Sequence, residues 1–115
     1  MTRDELVAYC LAKPGAEETY PWGEEELVAK VGGKAFAFIG LDGGTVGLKC
    51  GRDAEQAAEW RERYPDAITM SSYVGRYGWN SVPLDGSVPD DDVRELLDAS
   101  YDAAVAALPK SRRPR

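Results

Sequence analysis

The stretch from Val88 to Lys110 constrains this chain more than any other. Its apolar residues are Val93, Leu96, Leu97, Tyr101, Ala104, Val105 and Leu108. That spacing (i, i+3, i+4, i+8, i+11, i+12, i+15) draws a single stripe along an α-helix. Pro89 and the run Asp90-Asp91-Asp92 suit a helix start, where unpaired backbone donors and the positive dipole end favour carboxylates. Pro109 suits the exit. A stripe this long needs an apolar partner, and the strand-rich middle of the chain is the only candidate. Burying each large side chain stabilises by roughly 1.5–3 kcal/mol, so the helix reads as scaffold.

The chain has 115 residues, of which 43% are hydrophobic. One domain over residues 1–109 is expected, with a mobile basic tail over 110–115. No apolar run approaches the ~20 residues of a membrane span. Met1 to Glu5 lack the apolar core of a signal peptide, so the expected location is the cytoplasm. The two cysteines, Cys10 and Cys50, fall on apolar faces and read as buried, reduced thiols. There is no histidine. Zinc sites of the Cys/His type and Ser-His or Cys-His nucleophile pairs are therefore excluded. With no general base, nucleophile pair or metal constellation in view, the expectation is a monomeric, non-enzymatic protein without catalytic residues, cofactor or metal.

Net charge is −6, from 14 basic and 20 acidic residues. Four of the basic residues lie in Lys110–Arg115, leaving the first 109 residues with ten basic against twenty acidic, a net −10. Such a body repels polyanions at long range. A nucleic-acid surface would need a local basic patch strong enough to overcome that field.

Along the chain, Thr2 to Ala12 reads as a helix, with Thr2 and Glu5 at capping-box spacing and Leu6, Val7, Cys10 and Leu11 on one face. Lys13-Pro14-Gly15 stops it. Ala16 to Glu25 reads as an irregular aromatic connection around Tyr20, Pro21, Trp22 and Gly23. The glutamates flanking it (Glu17-Glu18 and Glu24-Glu25-Glu26) read as solvated surface rather than a metal or acid–base site.

Strands follow at Leu27–Val31 and Lys34–Ile39, joined by the hairpin signal Gly32-Gly33, and at Thr45–Cys50. Alternation sets Phe36 and Phe38 on one face of the middle strand, with Ala35, Ala37 and Ile39 on the other. Asp53 caps a helix over Ala54–Arg63. Weaker strands at Ala67–Tyr73 and Gly78–Val82 precede the long helix. The fold class is α+β, in the order α-β-β-β-α-β-β-α, an antiparallel sheet packed against the C-terminal helix.

In this layout the chain resembles the MmcQ/YjbR family. The resemblance is carried by Lys13-Pro-Gly15, Tyr20-Pro-Trp-Gly23, Gly33-Lys-Ala-Phe-Ala37, Leu48-Lys-Cys50, Tyr64-Pro65, Trp79-Asn-Ser-Val82, Leu84-Asp-Gly86 and Ser100-Tyr101. They stand in the family's order and span nearly the whole chain. The family often has a histidine or another polar residue just before the tryptophan; here that position is Gly78. The resemblance implies a compact fold similar to double-wing DNA-binding domains and to secretion-chaperone-like domains. A DNA-binding role is implied by analogy from fold to function alone.

The candidate surface combines Lys34, Lys49, Arg52, Arg76, Tyr77, Trp79 and Asn80. The cations would hold phosphates, Tyr77 or Trp79 would offer a stacking face, and Asn80 would hydrogen-bond. The plainer reading is a set of isolated surface cations and a Trp79 buried under the last helix. Gly32-Gly33-Lys34 lacks the spacing of a phosphate loop and leads into a strand. Asp90-Asp91-Asp92 needs no cation at a helix start. Tyr101 lies on the stripe, where its hydroxyl needs one partner. DNA is thus the first expected partner, and another protein, bound by an interaction or chaperone-like module, is the alternative. The acidic body suits the alternative better.

Overall fold

The computed structural model describes residues 1–40, 44–51, 53–71 and 77–114. The elements are α1 (Arg3–Leu11), β1 (Ala16–Thr19), β2 (Glu26–Val31), β3 (Lys34–Gly40), β4 (Thr45–Lys49), α2 (Ala54–Arg63), β5 (Thr69–Met70), β6 (Trp79–Pro83) and α3 (Asp90–Ala106). The strands form one antiparallel sheet in the order β1-β2-β3-β4-β6-β5. The expected α+β order is present, with β1 added at one edge. That strand carries the sequence Ala-Glu-Glu-Thr, which has no apolar alternation to announce it. It is held by backbone pairing to β2, and its charged side chains suit an unpaired edge.

All three helices pack on one face of the sheet. Leu6 and Cys10 of α1, Ala57 of α2 and Val93, Leu96, Leu97, Tyr101 and Ala104 of α3 share one core with Leu27, Ala29, Ile39, Val46, Leu48 and Val82. The stripe of α3 is therefore buried against the strands, as its periodicity requires. The caps are also in place. Thr2 and Glu5 form a reciprocal capping box, and Asp53 accepts from the Gln56 amide. Gly32 and Gly33 turn the β2–β3 hairpin with φ of 56° and 87°, the left-handed pair that a two-residue turn of this hand needs.

One residue breaks the expected alternation. The β2–β3 register passes from Ala29↔Ala37 to Lys30↔Ala35, so Phe36 is an extra residue on β3. Such a bulge lets neighbouring side chains fall on the same side. Phe36 and Ala37 both enter the core, and Phe36 meets the Tyr101 ring edge-on at 5.3 Å. Phe38 is turned to the opposite face, where it pairs with Val28 and Gly47. Phe36 and Phe38 thus do not share a face.

The bulge is held from above by α3. Ser100, almost fully buried, donates from Oγ to the Phe36 carbonyl (2.6 Å) and accepts from the Lys49 amide (3.0 Å). Direct β3–β4 pairing reaches only Ala37↔Leu48. The serine hydroxyl therefore relays the next rung, between Phe36 and Lys49.

After Pro109 the described residues 110–114 lie against the body. Lys110–Arg112 make one 3-10 turn. Arg113 donates to the carbonyls of Leu108 (3.0 Å) and Ala106 (3.1 Å), which suits a cation at the negative end of α3. Pro114 lies against Gly15, whose missing Cβ leaves the room. No helix of the described residues is long and apolar enough to cross a membrane.

Candidate functional site: the open face of the sheet

Among the described residues every helix lies on one side of the sheet, and the other side carries no helix; Val28 there is nonetheless buried. Strand register places Thr19, Val28, Phe38, Gly47, Ser81, Thr45, Lys49 and Trp79 on that open face. The described part of the Tyr20–Glu25 loop reaches across it. Trp22, 69% exposed, stacks on Phe38 with ring centroids 6.0 Å apart and planes 23° from parallel. Phe38 in turn meets Trp79 edge-on at 5.2 Å. Three aromatic rings therefore run in a row across β3, β4 and β6. Exposed Met70, on the edge strand, is the register partner of Asn80 and so belongs to the helix side, and exposed Tyr77 lies just before β6.

Beside the row lies a groove of about 460 Å³, lined by Glu26, Phe38, Gly40, Thr45, Gly47, Thr69, Met70, Ser71 and Ser81. Its volume falls in the usual range of small-ligand clefts. Gly47 faces Phe38 on one side and Ser81 on the other, and it brings no side chain to the floor. A glycine inside a strand often marks such a close approach. Four hydroxyls and one carboxylate are the polar lining, and Glu26 is the one charged residue among the described lining.

Of the seven residues singled out in the sequence, the five that are described do not all share one face. Lys49 and Trp79 are directly opposed on β4 and β6 and share the open face. Trp79 is half-buried there, against Phe38, and not under α3. Tyr77 is exposed nearby in sequence and makes a contact of its own. Lys34 is exposed, but it pairs with the core residue Val31 at the hairpin end of β3. By the count through the bulge it sits on Phe36's face, opposite to Lys49. Asn80 is no surface group. It is fully buried toward α2, donates to the Ala57 carbonyl (3.0 Å) and accepts from Arg61 (2.6 Å). Strand parity explains this, since its neighbours Trp79 and Ser81 take the open face. Arg52 and Arg76 lie outside the described residues. Trp22, Phe38 and Glu26 were missed. Trp22 stood in a family motif without a role, and Phe38 was assigned the face of Phe36.

Two other clusters carry less chemistry. Lys13 donates to Asp98 (2.5 Å), as does Tyr9 (2.8 Å), while the Tyr101 hydroxyl donates to the Pro14 carbonyl (2.5 Å). Burial opposes the Lys13 charge, but the Asp98 carboxylate outweighs it and holds the amine above its usual range. A protonated, paired lysine is a latch between α1 and α3, not a nucleophile. The cysteines are buried and free, and desolvation pushes Cys10 up to about 12 and Cys50 up to about 11. Neither is a reactive thiolate. Among the described residues no group of three or more Cys, Asp or Glu is arranged to hold a metal.

The YjbR family model matches residues 11–103. The chain belongs to the YjbR family. It is 34% identical over 113 residues to the uncharacterized protein YjbR of Escherichia coli strain K12, covering 98% of this chain and 95% of that protein. The same values hold for the protein of that name from Escherichia coli O157:H7. Among solved structures, Deinococcus radiodurans protein DR2400, described by the family domain DUF419, is similar with a TM-score of 0.86 and 31% identity over 96% of this chain and 84% of that one. A protein from Pseudomonas syringae shares the fold, with a TM-score of 0.73 and 19% identity over 90% of this chain and 99% of that one. In this YjbR-family chain the residue before Trp79 is Gly78, with φ 95° and the Asp53 carbonyl 3.0 Å from where a Cβ would stand. Close backbone approach, not a side chain, is what this position supplies here.

Proposed function

We propose that the chain is a non-enzymatic binding module that receives a segment of another protein on its open sheet face. The observation carrying this reading is the aromatic row Trp22–Phe38–Trp79 beside a groove whose described lining carries one charge, a negative one. Exposed aromatic residues such as Trp are the residue types that anchor protein interfaces. The acidic chain, at net −6, favours a basic or neutral partner. The test is selection of peptides from a random display library on the folded chain, followed by amide-shift mapping. Binders should shift Phe38, Gly47 and Trp79 and weaken at least tenfold on Trp22→Ala. No enriched peptide, or binders that map to the helical face, would refute the reading.

DNA is the second reading. It is supported by Lys49 standing directly opposite Trp79 on the open face, a cation beside a stacking ring. The buried Asn80 and the separated Lys34 remove two of its expected contacts. A module gripping three or four phosphates loses affinity with a log–log salt slope of roughly −3. Retention of a labelled duplex or single strand at low salt, abolished by Lys49→Glu, would put DNA first.

A further inference from the structure

We propose that the groove beside Phe38 takes an arginine side chain of the docked segment. This rests on the protein-docking reading and names what that site recognises. The groove exists because Gly40 and Gly47 bring no side chain to the open face beside Phe38. Its described lining offers three things at once: the Glu26 carboxylate, the hydroxyls of Thr45, Thr69, Ser71 and Ser81, and the ring of Phe38. Among the described residues no cation pairs with Glu26, although it lies on a paired strand.

A guanidinium answers all three features. Its fork gives a carboxylate two parallel N–H donors, its other donors suit hydroxyl acceptors, and its flat face stacks on an aromatic ring. A lysine ammonium answers only the charge. A phosphate or carboxylate would meet Glu26 as a like charge. Exposed Glu24 and Glu25, beside Trp22 in the loop, extend the negative field that would draw the cation in.

The probe is an end-blocked octapeptide of alternating glycine and arginine, compared with the same peptide carrying neutral citrulline in place of arginine. Binding is measured by calorimetry and by amide shifts on the labelled chain. The arginine peptide should shift Phe38, Gly47 and Ser81. Its affinity should fall at least tenfold with citrulline and at least tenfold on Glu26→Gln. Gly47→Val, which fills the floor where a Cβ would stand 3.4 Å from the Phe38 Cβ, should abolish the shifts while leaving a cooperative thermal transition. The double change Glu24→Gln with Glu25→Gln should cost less than threefold, which separates a seated arginine from diffuse attraction. If both peptides bind the open face equally, or Glu26→Gln matters no more than the loop glutamates, the arginine inference is wrong and the docking reading stands. If neither peptide shifts that face at millimolar concentration, the inference is also wrong; if a thymidine oligonucleotide shifts it instead, both readings fall.

Discussion

Replacing Ser100 by alanine should be among the most damaging single-atom deletions in this chain. The hydroxyl bridges two backbone groups that lack a direct rung, the Phe36 carbonyl at 2.6 Å and the Lys49 amide at 3.0 Å. No buried side-chain polar atom among the described residues lacks a partner. In Ser100→Ala both backbone groups lose their partner beneath α3. Each orphaned group costs about 1–3 kcal/mol, and partial relaxation brings the pair to about 2–4 kcal/mol. A domain of this size has about 5–15 kcal/mol in total. At about 4 °C per kcal/mol, the melting temperature should fall by about 8–16 °C. Thermal unfolding by circular dichroism reads this directly, with exposed Ser111→Ala as the control within about 0.5 kcal/mol. Hydrogen exchange adds a local readout, since the Lys49 amide should lose protection before its neighbours on β4. A melting temperature within about 3 °C of wild type, with Lys49 protection intact, would mean that β3 and β4 can close the rung unaided and that the relay is incidental.

Two further outcomes follow from buried groups. Asn80→Ala removes the donor to the Ala57 carbonyl and the acceptor for Arg61, and should destabilise by about 2–3 kcal/mol in urea titration without changing any open-face binding. Both thiols should resist an aromatic disulfide reagent at pH 8 until the chain unfolds. Their folded-state values of about 12 and about 11 lie above the ordinary 9.0, so unfolding releases protons in alkali. The stability they contribute is complete below pH 9 and is lost as pH rises toward 11–12. Tyr101, raised by desolvation, and Tyr9, raised by its hydrogen bond to Asp98, act in the same direction. A denaturation midpoint that stays flat from pH 8 to 11 would contradict this sign.

Much of the architecture was legible because it is periodic. The stripe of α3, the capping pairs Thr2/Glu5 and Asp53/Gln56 and the Gly32-Gly33 turn are local patterns with one physical solution each. What escaped is non-local. β1 has no amphipathic signature and exists through pairing with β2. The bulge at Phe36 is set by Ser100, 64 residues away, and no window around Phe36 contains that information. Asn80 followed the same logic, since a polar residue between Trp79 and Ser81 looks exposed until its strand is known to face α2. The docking of Arg113 on the end of α3 depends on where the helix stops, which charge counting does not reveal. Gly47 was the one local clue to the groove, a glycine inside a strand where side-chain packing is normally wanted.

The bulge links the stability of the fold to the chemistry of its open face. Without the extra residue, Phe36 and Phe38 would alternate onto the same side, and only one face could use both rings. With it, Phe36 fills the core against Tyr101 while Phe38 becomes the centre of the exposed aromatic row. Ser100 fixes that division by holding the bulge, and the same contact anchors the amide of Lys49, whose side chain stands on the open face. Family-matching residues that look like scaffold, Ser100 and Tyr101, therefore set the orientation of residues that look like site. Loss of binding after a change at Ser100 is a positioning effect and should be accompanied by loss of stability. Loss of binding after a change at Trp22, which is 69% exposed and packs on one ring, should leave the melting temperature nearly unchanged.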